Sequence, residues 1–201
     1  MAKSLLNELF KQVWDRIETD VEAAKRPQWE AADHAGSRVL NESHLEQFPV
    51  SRHLEGSLKA AERSGAEQIS SLLRQAKNFL VWSHNESYYA TKLDGHFMEN
   101  YVTGMLTGPE GNLARDAPCS GFVLLGPDTE YPEHSHAPRE VYLVLTPGVE
   151  WRLDGTHWFS VDPGQVIYHA PWQGHAMRTH ITPMLAFAAW LDDGDRRAIR
   201  I

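Results

Sequence analysis

Beyond Asn85 the chain is cut into short runs of aromatic and β-branched residues by Gly, Pro and Asp, and this punctuation restricts that half to a β architecture. The runs predict strands over Phe97–Thr103, Gly121–Leu125, Glu140–Leu145, Val149–Leu153, Thr156–Val161, Gln165–Tyr168, Ala176–Thr182 and Met184–Leu191. Asp154-Gly155 is a two-residue hairpin signal, and Asp162-Pro163-Gly164 marks a second turn. Many short strands joined by such turns close into a small antiparallel β-barrel or jelly roll. Ahead of them, Leu6, Leu9, Phe10, Val13, Trp14, Ile17 and Val21 share one helix face, and Pro27 is expected to end that helix. Ala61, Ile69, Leu72, Leu73 and Ala76 repeat the pattern between Leu58 and Leu80. With 201 residues the expectation is one structural domain, mainly β, in which a helical N-terminal segment (1–84) packs on a barrel (85–201).

A net charge of −8 disfavours nucleic acid and anionic lipid as partners. No apolar run approaches the roughly 20 residues that cross a bilayer, and the first residues carry Glu8 and Asp15 where an export signal would be apolar. Cys119 is the single cysteine, which suits a reducing cytoplasm. A homodimer is compatible with these features.

Of 11 histidines, several crowd between His134 and His180. In Glu133-His134-Ser135-His136-Ala137-Pro138-Arg139-Glu140-Val141-Tyr142 the residues His134, His136, Glu140 and Tyr142 have one parity, so an extended chain points them to one face. Val141, Leu143 and Leu145 take the other. The imidazoles of His134 and His136 and the Glu140 carboxylate are therefore expected to hold one divalent metal ion, Fe(II) or Zn(II) first and Mn(II), Co(II) or Ni(II) as well, while the absence of nearby cysteine argues against a structural zinc. A further ligand should come from a separate strand, with His175 the first candidate and His169 and His180 its competitors.

Gly126, His134, His136, Glu140 and Gly148, followed by Gly164, Pro171, Gly174 and His175, resemble the two motifs of the cupin superfamily. A narrower resemblance rests on Tyr88-Tyr89-Ala90-Thr91-Lys92 leading to Gly95-His96-Phe97-Met98, on Gly121-Phe122-Val123-Leu124-Leu125-Gly126-Pro127, and on Tyr131, Tyr142 and Trp190. These look like the cupin dimethylsulfoniopropionate (DMSP) lyases of the DddQ type. What the resemblance implies is a single cupin fold, cleavage of DMSP to dimethyl sulfide and acrylate, metal ligation by His136, Glu140 and His175 with His134 beside them, and catalytic parts for Tyr142 and Tyr131.

The residue chemistry suits such a reaction. The substrate is a small zwitterion; a metal-bound carboxylate stabilises negative charge developing at the adjacent carbon. Tyr142 as phenolate is a candidate base, and Tyr131, Tyr89 and Trp190 are candidate aromatic faces for the sulfonium. The same ligands also serve a mononuclear-iron dioxygenase or a non-enzymatic cupin that binds a small molecule.

Overall fold

A computed structural model describes residues 2–20, 44–85, 95–113, 119–192 and 199–200. Among the described residues, eleven strands form two antiparallel sheets. In the order of pairing, the first contains β1 (Val81–Ser83), β2 (Tyr101–Thr107), β3 (Ser120–Leu125), β10 (Met184–Trp190), β5 (Glu140–Val144) and β8 (Val166–His169). The second contains β11 (Ile199–Arg200), β4 (Glu130–Ser135), β9 (His175–Thr179), β6 (Val149–Leu153) and β7 (Phe159–Val161). The helices are α1 (Ala2–Asp20), α2 (Leu54–Arg63), α3 (Glu67–Ala76) and the short α4 (Gly95–Glu99), with 3₁₀ turns around them. This is a cupin sandwich with a helical front. Among the described residues no helix is long and apolar enough to cross a membrane.

Period-2 burial divides the first sheet between two cores. Val141, Leu143, Leu145, Leu185, Phe187, Phe122 and Leu124 face α1, α2 and α3, joining Leu6, Leu9, Val13, Leu58 and Leu73. Tyr142, Val144, Val123, Leu125 and Ala186 face the second sheet, where they meet Tyr131, Val149, Trp151 and Met177. Strand β5 is thus buried on both faces, and only one of them lines the interior of the sandwich.

Several boundaries differ from those expected. The run from Leu58 to Leu80 is two helices, because Gly65 takes φ 90° and its neighbour Ala66 N–H returns to Ala61 O, closing α2. Phe97–Thr103 begins as the helix α4 and becomes strand only at Tyr101. Strands β1, β4 and β11 were not anticipated; Pro132 in β4 hides the extended run that carries Tyr131 and His134. Asp154 (φ 48°) and Gly155 (φ 65°) both adopt the left-handed conformation of an Asp-Gly turn, closed by Thr156 N–H on Leu153 O, but β7 starts only at Phe159, so the connection is longer than the expected two-residue hairpin. Val21 and Pro27 lie outside the described residues.

Candidate metal centre

The centre lies at one end of the sandwich, where the two sheets meet. His136 follows β4 by one residue, Glu140 opens β5 and His175 opens β9. The segment between the first two is latched: Arg139 grips the Asp192 carboxylate through Nε at 2.8 Å and through a second, shorter bond from Nη2, and Trp172 N–H donates to His136 O at 2.8 Å. Single donor atoms of His136, Glu140 and His175 lie within 4.8 Å of one another, and all three residues are buried.

Three imidazoles are prepared alike. Nδ1 of His134, His136 and His175 is 2.9 Å from the carbonyl of Pro132, Pro138 and Gln173, respectively. A carbonyl only accepts, so each Nδ1 carries a hydrogen and the neutral ring turns a bare Nε2 outward, the tautomer that ligates metals. His175 Nε2 is buried and has no hydrogen-bond partner among the described residues, although it stands 3.3 Å from Glu140 Oε2. A lone pair facing a carboxylate in a buried site calls for a cation between them. His136 Nε2 lies 3.0 Å from the same oxygen, and although burial opposes the ring's charged form, the adjacent Glu140 outweighs it and raises the pKa. Burial would likewise push the Glu140 carboxyl up, yet the neighbouring His136 and the hydrogen bonds it receives hold it well below the usual carboxylate value. The donor set and the orphaned nitrogen both fit a divalent cation.

His134 stands beside this group rather than within it. It pairs with His175 across β4 and β9, which sets the two rings 4.1 Å apart, and burial followed by the proximity of His175 depresses its pKa. Tyr131 stacks on His134 at 4.5 Å and forms an aromatic wall with Tyr101 (5.1 Å) and Phe97 (5.3 Å). Its hydroxyl reaches that of Tyr101 at 3.4 Å, and burial pushes the Tyr101 phenol up to about 12. Trp190 donates Nε1–H to Glu140 Oε1 at 3.0 Å, with its ring 4.9 Å from His136. Tyr142 faces the interior two residues beyond Glu140, edge-on to Trp151 at 5.0 Å and 5.6 Å from His169. Tyr89 lies outside the described residues. His180 is bound to Glu150 on the exterior and does not join the centre.

Two residues of the site have roles that the sequence alone does not show. His169 was weighed only as a ligand, whereas its Nδ1 is 2.9 Å from Glu140 Oε2 and its Nε2 accepts from Trp151 at 3.0 Å. Tyr101 falls within the expected strand Phe97–Thr103 and carries no site signal of its own. Both depend on cross-strand register, for which a single sequence carries no local signal.

The family model described as dimethylsulfoniopropionate lyase matches residues 26–186. Dimethylsulfoniopropionate lyase DddQ of Ruegeria pomeroyi is 28% identical over 107 residues, which are 53% of this chain and 53% of that protein. DddL of Cereibacter sphaeroides is 28% identical over 159 residues, 79% of this chain and 66% of that protein. The matched stretch therefore spans about half of the first relative (53%) and less than two thirds of either. The crystal structure of the DMSP lyase DddQ from Ruegeria pomeroyi DSS-3 superposes with a TM-score of 0.74 at 18% identity, covering 98% of this chain and 96% of that one. One from the work on the DMSP lyases RdDddP and RnDddQII gives 0.73 at 22%, covering 98% of each chain. At these identities the superpositions show a shared fold.

Proposed function

The chain belongs to the dimethylsulfoniopropionate lyase family, and from that membership we propose that it cleaves DMSP to dimethyl sulfide and acrylate at a divalent cation held by His136, Glu140 and His175. The observation that carries the proposal is the buried Nε2 of His175, its ring hydrogen committed to Gln173, facing the Glu140 carboxylate. Fe(II) or Zn(II) best suits two imidazoles and a carboxylate. When bound, the ion supplies Lewis acidity, lowering the cost of negative charge beside the substrate carboxylate.

The protein's own groups supply the rest. Tyr142, on the same strand and face as Glu140, is the proposed base: as phenolate it takes the proton from the carbon next to the carboxylate, the freed electron pair forms the C=C bond, and the C–S bond breaks to release neutral dimethyl sulfide. The sulfonium needs an electron-rich, poorly hydrated surface, which the wall of Tyr131, Tyr101 and Phe97 offers. Trp190 and, from outside the described residues, Tyr89 are the further proposed faces. Burial of the site keeps water from competing for the proton. A single cysteine and an acidic chain suit work in the cytoplasm on a small zwitterion.

Headspace dimethyl sulfide, measured under anaerobic conditions from metal-reconstituted protein given DMSP, tests the proposal. Release in step with acrylate is the expected result. Oxygen uptake on addition of a substrate, without dimethyl sulfide, would replace the lyase with the dioxygenase reading.

A further inference from the structure

Glu140 is held from both sides by its cross-strand neighbours. His169 lies opposite it on β8 and Trp190 opposite it on β10, so one oxygen, Oε2, meets His169 Nδ1 and the other, Oε1, meets Trp190 Nε1. Behind His169, Trp151 directs its indole N–H at His169 Nε2 over 3.0 Å. An indole nitrogen only donates, so this Nε2 is bare and the single hydrogen of the neutral ring sits on Nδ1, aimed at Glu140. An Nε2–H tautomer would oppose two N–H groups where both side chains are fully buried. The same contact excludes His169 as an ion ligand through Nδ1, because that role would send its hydrogen to Nε2. Its ring also stacks on His175 at 3.8 Å and 20°, so it touches two members of the candidate metal group at once.

We propose that His169 is a positioning residue of the centre: locked by Trp151 as the Nδ1–H tautomer, it orients the Glu140 carboxylate by hydrogen bonding and the His175 ring by stacking. The inference rests on the reading of His136, Glu140 and His175 as the metal-holding group. Outer hydrogen-bond partners of this kind change metal affinity about 10–100-fold when removed.

Long-range ¹H–¹⁵N NMR of protein labelled at histidine, taken before metal is added, should show His169 as a pure Nδ1–H tautomer, and Trp151→Phe should convert it to a mixture. Co(II) titration should then show binding about 10–100-fold weaker in His169→Leu, with an altered d–d spectrum. His169→Asn, whose amide can donate in place of Nδ1–H, should recover most of the loss. Should His169→Leu fail to fold, Trp151→Phe must still weaken Co(II) binding in the same direction. An Nε2–H tautomer in the parent protein, or parent-like Co(II) affinity and spectrum in His169→Leu, overturns the inference alone. A parent protein that takes up no Co(II) overturns the metal reading and the inference with it.

Discussion

Tyr142 differs from phenylalanine by one oxygen, and the proposed elimination depends on that oxygen. Tyr142→Phe should leave the packing against Trp151 and the three candidate ligands in place while lowering kcat about 10²–10⁴-fold, with little change in KM. Steady-state dimethyl sulfide release beside elemental analysis decides this; full metal content with near-parent turnover would move the base to Tyr131. Tyr131 has a second, separable role as part of the aromatic wall. Tyr131→Ala should weaken binding of DMSP more than that of acrylate, since only the former carries a sulfonium, and calorimetric titration of the two ligands measures the difference. Residue types and parity make the inward placement of His136, Glu140 and Tyr142 legible in the sequence. The partners of Glu140 were not, because His169 and Trp190 reach it only through strand register.

At the scale of elements, β5 shows why parity was a sound guide there. One face carries Val141 and Leu143 to the helices while the other carries Glu140 and Tyr142 inward, so a slip of one residue would exchange two buried sets. Strand β4 is not legible in the sequence because Pro132 and its polar neighbours lack β character; its strand form comes from pairing with β9 and β11. The end of β10 is tied to the ligand-bearing segment through Asp192 and Arg139. The hydrogen bond from Arg139 lowers the Asp192 pKa, so this tie contributes stability above the ordinary aspartate value of about 3.9 and loses it as pH falls through the lower folded value. Melting temperatures across pH should therefore show a gap between parent and Asp192→Asn that is constant near neutrality and narrows below about pH 4. A gap independent of pH would remove the ion pair from the account.

For the whole molecule, the helical core of Leu6, Leu9, Val13, Leu58 and Leu73 against the first sheet involves none of the candidate ligands. Chelation should abolish activity and lower the melting temperature by the linkage owed to a lost ligand, while far-UV circular dichroism keeps its native shape. Collapse of the spectrum on chelation would instead identify a structural ion. The division into a helical front and a β back could be read from residue periodicity, whereas the strand order β1-β2-β3-β10-β5-β8 could not, because it is fixed by pairings distant along the chain. The centre itself joins what the topology keeps apart. Glu140 belongs to one sheet, and His175 with the end of β4 belongs to the other, so an ion held among them would rivet the two sheets together. Parting the two sheets at that end would part the donors, so the compliance felt by an arriving or departing molecule would be set by the same ion that would activate it. Amide exchange at the start of β5 and β9 should slow on metal loading more than exchange at their far ends.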